Sequence, residues 1–175
     1  MNSNLFPRLA GVLGIHAVLV ALYWAVVKFA LASQTALSEQ VLGLTEGDPL
    51  RIQAYLDEMI GALVSAGIIG LLVAALLASL WLILVDRNPP FGDKSARGKR
   101  GSWAGLLLVA IVVAAGSCWL RVIAAPIAET LAGSLPMTAT AIVVGLVVVG
   151  YWLSTAIFVP SSTKVAVPGA SAFGA

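Results

Sequence analysis

The sequence predicts an all-α fold: a polytopic membrane protein whose four transmembrane helices form a bundle, with helices 1 and 2 extended outside the membrane as a helical hairpin. Three observations carry this expectation. Four apolar stretches, residues 9–27, 59–82, 103–124 and 138–159, are each about 20 residues long, the length an α-helix needs to cross ~30 Å of hydrocarbon. The chain is 60% hydrophobic and 10% charged, with a mean hydropathy of +1.01, far from the composition of a soluble domain. Nearly every charge falls between the apolar stretches. Lipid offers the backbone no hydrogen-bond partners, so segments this apolar are expected to span as helices and not as open strands. Residues 1–160 form one expected domain, and 161–175 a C-terminal tail.

The first stretch raises the question of a cleaved leader, because Arg8 precedes it and Ala30-Leu31-Ala32 resembles a cleavage site. The run from Leu9 to Val27 exceeds the usual apolar region of a signal peptide, and the site would follow Lys28 and Phe29. An uncleaved helix is the expectation.

Loop charges set the orientation. The connection 87–102 carries Arg87, Lys94, Arg97, Lys99 and Arg100, whereas 126–136 has no Lys or Arg and one acid, Glu129. The positive-inside rule then places 87–102 and both termini in the cytoplasm of an inner (plasma) membrane. The first loop, 29–58, is net acidic, with Glu39, Glu46, Asp48, Asp57 and Glu58 against Arg51, as suits the outer face. Aromatic residues fit two interfacial belts: Trp81, Trp103, Tyr151 and Trp152 at the cytoplasmic ends, and Tyr23, Trp24 and Trp119 toward the outer ends.

The hairpin is read from spacing. Leu31, Leu37, Val41 and Leu44 recur at helical intervals among polar residues, and the pattern breaks at Gly43 and Thr45-Glu46-Gly47. Asp48-Pro49 reads as an N-cap followed by a first-turn proline, opening a helix with Leu50, Ile52, Tyr55, Leu56 and Met59 on a common face. A loop lying back along the membrane surface is the plainer alternative.

Helix 2 carries the clearest packing pattern: Ala62, Ala66, Gly70, Ala74 and Ala78 at four-residue spacing. Small residues on one stripe let a second helix approach closely, which is where transmembrane helices find dispersion contacts. Weaker stripes are Ala17, Ala21 and Ala25 on helix 1 and Ala110, Ala114 and Cys118 on helix 3. Packing within the bundle is the ordinary role, and a surface for another subunit the functional one. Leu63, Ile69, Leu72 and Leu76 would then face lipid or a partner.

Polar residues at membrane depth are few. His16 is expected to turn into the bundle, as a titratable ring in lipid is costly; a proton relay or cofactor contact is the sharper alternative. Arg121, near the outer end of helix 3, would either snorkel beside Trp119 or pair with Asp57, Glu58 or Glu129 at the base of the hairpin. Pro126 should end helix 3. The basic loop suits anionic lipid headgroups, or a cytoplasmic partner, and the small-residue-rich segment from Pro160 reads as extended surface chain.

These observations exclude several functions for this chain alone. One cysteine and one histidine cannot supply a structural zinc site or a bis-histidine haem, and no cofactor is implied. The basic residues report topology and not a nucleic-acid partner. The expected partners are the lipid bilayer and other membrane subunits or a second copy of the chain. The leading expectation is a non-catalytic accessory subunit that scaffolds or anchors a larger inner-membrane complex. A small transporter or channel component is the alternative, though it would need a polar path or broken helices. A membrane enzyme is the weakest reading, since no nucleophile with its base stands out.

Overall fold

A computed structural model describes residues 5–31, 48–124 and 134–173 of the chain. Among these residues every regular element is a helix. Helix α1 (Leu5–Ala25) continues into a wider π-helical segment, Val26–Leu31. Helix α2 (Pro49–Arg87) is followed by a short α3 (Gly92–Gly98), then α4 (Arg100–Ala124) and α5 (Ser134–Phe158). Two 3-10 turns, Ser161–Ala166 and Ala170–Phe173, complete the described chain. Among the described residues four helical stretches are long and apolar enough to cross a membrane: Leu5–Phe29, Pro49–Arg87, Gly92–Arg121 and Met137–Phe158.

Local chemistry sets the ends of α2. The Asp48 carboxylate accepts from the Leu50 backbone N–H at 2.9 Å and Pro49 occupies the first turn, as the sequence predicts. At the other end the Asn88 N–H closes on Leu84 O at 3.1 Å before Pro89-Pro90 forbids another turn. The 39 residues between span about 58 Å by helical rise, well beyond one hydrocarbon core. The first ten residues of α2, expected as one arm of the hairpin, are helical. Its tip and most of the other arm fall in 32–47, outside the described residues.

Helices α2 and α5 touch across the middle of the bundle, while α1 and α4 each pack on both of them from opposite sides. Burial follows this arrangement: the central pair is buried over roughly twice the fraction of its length that the flanking pair is. One apolar core surrounds Tyr23, Met59, Leu63, Leu71, Val143 and Val147; a second, toward the start of α1, surrounds Val12, Trp81, Leu82, Trp103 and Tyr151. That second end, where α1 and α4 begin and α2 and α5 finish, is the basal end below.

Close approach depends on missing side chains. A Cβ at Gly70 would stand 3.0 Å from Ala114 Cβ on α4 and 3.3 Å from a Val143 methyl on α5. A Cβ at Gly150 would stand 2.6 Å from Leu19 on α1, and one at Gly11 would run into the Phe158 ring. Ala66, Ala74 and Ala78 are fully buried beside Gly70, as are Ala110, Ala114 and Cys118 on α4.

Two packing expectations are corrected. Ala17 and Ala21 are exposed, because α1 turns Val12, His16 and Tyr23 inward instead, as the π-helical segment does Val27. Leu63 is buried and not outward-facing: α2 has neighbours on three sides, so its buried arc is wider than one stripe. Leu72 and Leu76 do face out.

Candidate functional site

Of the charged girdle expected at the far end, the described residues do not bring Arg121 together with Asp57 or Glu58. Arg121 is exposed on the last turns of α4, and among the described residues it forms no ion pair with Asp57 or Glu58. Asp57 instead accepts from Gln53 Nε2 at 3.1 Å, one turn back along its own exposed helix face, and Glu58 is also exposed. Arg121 is exposed with exposed Trp119 two residues before it, an arrangement compatible with snorkelling. Glu129 lies outside the described residues.

His16 does turn inward. Its ring is 3% exposed, and Nδ1 lies 2.9 Å from Val12 O. A carbonyl only accepts, so Nδ1 carries the proton and, in a neutral ring, Nε2 is left with its lone pair. Nε2 is buried without a hydrogen-bond partner and abuts Gly150, where a Cβ would come within 3.2 Å of it. The glycine therefore makes room for the imidazole at the α1–α5 contact.

Most polar organisation is at the basal end. Tyr151 Oη donates to Trp103 O at 3.1 Å, Trp103 Nε1 donates to Thr155 Oγ1 at 3.0 Å, and Thr155 Oγ1 donates back to Tyr151 O at 2.7 Å. This closed circuit ties the start of α4 to α5, and the Trp103 and Tyr151 ring centroids lie 5.6 Å apart. On the neighbouring side Arg8 reaches Asp86 at 3.9 Å, joining α1 to α2.

The belt reading of these aromatics is thereby corrected. Trp81, Trp103 and Tyr151 are buried core side chains and not headgroup anchors. Which way they face is decided by tertiary packing that charge and hydropathy do not encode. Trp24 and Trp119 do face outward, while Tyr23 is buried and donates to Leu63 O at 2.8 Å.

The C-terminal segment is corrected in the same way. The chain after Pro160 coils into its two 3-10 turns and folds back on the basal end, burying Thr163, Ala166, Val167 and Ala170. Trp152 Nε1 donates to Pro168 O at 2.7 Å, the Phe173 ring meets the Trp152 ring edge-on at 5.6 Å, and Gly169 supplies a positive φ of 76° for the reversal. Small side chains that suggested an extended surface segment are what lets it lie close. Arg100 Nε donates to Val165 O at 3.0 Å, and α3, whose Ala96 is fully buried, packs on Ser161–Ala166.

The chain was compared with family models, curated proteins and solved structures. None of the three comparisons finds a match.

The chemistry therefore has to be read from this chain's own groups. Among the described residues no three His, Cys, Asp or Glu side chains lie close enough to hold a metal ion. Cys118 is buried in the core around Tyr23 and Val143, away from the basal end. The hydroxyls at depth tie turns and helices together: Ser117 Oγ, for instance, lies 2.9 Å from Ala114 O and 3.2 Å from Ala66 O on α2. What faces outward between the ends is an apolar wall; exposed Arg87, Lys94, Arg97 and Arg100 stand at the basal end, and exposed Arg51, Asp57, Glu58 and Arg121 toward the other. Such a surface can bind lipid, apolar helices and anionic groups.

Proposed function

We propose that this protein is a four-span integral membrane subunit, with both termini cytoplasmic, that scaffolds or anchors a larger inner-membrane complex without itself carrying out catalysis. The observation that carries this reading is the direction in which the side chains face. His16, Tyr23, Ser117 and Thr155 turn inward or toward neighbouring helices, whereas the flanking helices present Leu13, Val18 and Leu22 on α1 and Leu108, Val112 and Leu120 on α4. Apolar faces of this extent match hydrocarbon or the apolar face of another helix. The N-terminal turns of α2 and the hairpin they begin would offer an outer docking surface.

Purification of the full chain in mild detergent, with identification of co-migrating membrane proteins, tests this. A stable stoichiometric complex that is lost when exposed leucines of α1 or α4 are replaced by serine is the expected result. A chain that migrates alone and moves solute when reconstituted into liposomes would reject it in favour of a transporter.

A further inference from the structure

One stripe of α2 is left unpartnered by the bundle and ends in charge. Leu72, Leu76, Leu80 and Leu84 repeat at four-residue spacing, and all four are exposed. Over this length the stripe covers about 18 Å by helical rise, the scale of a single phospholipid acyl chain. Arg87 follows three residues after Leu84, hence on the same side of the helix, and is exposed. Beyond it Phe91 is 95% exposed while its neighbour Pro90 is buried, so the ring is held outward by an anchored loop. Exposed Lys94 and Arg97, three apart on α3, extend the positive charge. Between Arg87 and Arg100 there are five basic residues and a single acid, Asp93; Asp86, just before them, is turned to Arg8.

The platform is fixed before any ligand arrives. Ala96 on α3 is fully buried, α3 packs on the Ser161–Ala166 turn, and Arg100 is held by Val165 O. An apolar track running straight into clustered cations has the chemistry of one class of partner, an acyl chain joined to an anionic headgroup. An acidic protein segment would account for the cations but not for the leucine track or Phe91.

We infer that the α2 stripe Leu72–Leu84 and the loop carrying Arg87, Phe91, Lys94 and Arg97 form a seat for an anionic phospholipid. Its acyl chain lies along the leucines, and its phosphate meets the basic groups at the level of Arg87. This rests on the membrane-spanning reading above.

The experiment uses the full-length protein reconstituted into phosphatidylcholine vesicles, with flotation establishing insertion. Spin-labelled phosphatidylglycerol and spin-labelled phosphatidylcholine then report relative association with the protein. The wild type should prefer phosphatidylglycerol severalfold, and 0.5 M salt should reduce that preference by screening. Arg87→Gln and Lys94→Gln/Arg97→Gln should each lower it, and the triple variant should approach parity. Arg51→Gln, at the opposite end of α2, should leave it unchanged. Circular dichroism would show that the surface variants keep their helix content. A protein that floats but shows no preference overturns the seat and leaves the membrane reading intact, and an acidic protein partner then becomes the better explanation of the charges. A preference that persists in the triple variant overturns the assignment to this loop. Failure of folded wild-type protein to float with vesicles overturns both readings.

Discussion

Gly67 lies beneath the ring of Tyr23: a Cβ at Gly67 would collide with the aromatic carbons, while the Tyr23 hydroxyl donates to Leu63 O at 2.8 Å, one turn back along the same helix. The tyrosine thus spans a turn of α2, with its ring on a glycine and its hydroxyl on a carbonyl. Burying a phenol at the α1–α2 contact requires both features, a flat place for the ring and an acceptor for its proton. Gly67→Ala should destabilise the protein by about 1–3 kcal/mol through overpacking. Replacing Tyr23 with Leu in the same chain should relieve part of that cost. Thermal unfolding of the two single variants and the double variant in detergent measures the coupling, and additive effects would show that the contact is not what limits the glycine.

Gly70 gives a sharper test of the bundle centre, because it meets α4 and α5 together. Gly70→Leu should cost about 1–3 kcal/mol and lower recovery of folded protein. Gly145→Leu is the control, since nothing stands within 4 Å of a Cβ there. Equal stability of the two variants would put the Ala66–Gly70–Ala74 stripe outside the interface.

This stripe shows what a sequence can reveal. Four-residue repetition of small side chains marks a close helix contact without naming the partner helix, and Ala66, Gly70 and Ala74 are all buried. The same pattern on α1 misleads, because Ala17 and Ala21 face outward while His16 and Tyr23 face in. An apolar helix can turn either face inward at little cost in lipid, so the choice falls to a few polar groups needing partners. Asp48-Pro49 was legible for a different reason: capping is local chemistry, settled within one turn. The Arg121 girdle was expected because charges share a level along the membrane normal. Level says nothing about azimuth, and Asp57 found Gln53 on its own helix. The folded-back tail was the least legible, since its bonds are backbone carbonyls, Val165 O and Pro168 O, taken up by Arg100 and Trp152. Carbonyls are present at every residue, so no residue type announced them.

Removing the Trp152 donor should loosen that tail. Trp152→Phe keeps an aromatic ring but loses the bond to Pro168 O, worth about 0.5–1.5 kcal/mol. Limited proteolysis should then cut within 161–173 faster than in the wild type, with the helices intact. Unchanged cleavage kinetics would mean that the Pro168 bond does not hold the tail, leaving apolar burial and the Arg100 bond to Val165 O.

The circuit of Tyr151, Trp103 and Thr155 predicts an asymmetric response. Thr155→Val is close to isosteric yet leaves the Trp103 indole N–H buried without an acceptor, a loss of about 1–3 kcal/mol. Thr155→Ser keeps the oxygen and should restore most of the stability. Tryptophan emission should shift in the valine variant and not in the serine variant.

Orientation is open to direct labelling. In a Cys118→Ser background, a cysteine at Ser95 should resist an impermeant reagent applied outside intact cells and react after permeabilisation. Reaction from outside would invert the topology and place the basic loop on the other face.

The α1–α5 contact has a consequence for synthesis. The glycine that accommodates His16 is Gly150, and the Phe158 ring that covers Gly11 lies in the same late helix. Made from its N-terminus, the chain emits the imidazole first and the surface that shelters it last. For most of translation α1 can rest on α2 alone, with one flank of the histidine exposed to whatever surrounds the nascent chain. A protein built this way closes α1 with a helix made more than a hundred residues later, so a ribosome that stalls after α4 leaves an intermediate of three long helices with an uncovered histidine as its mark.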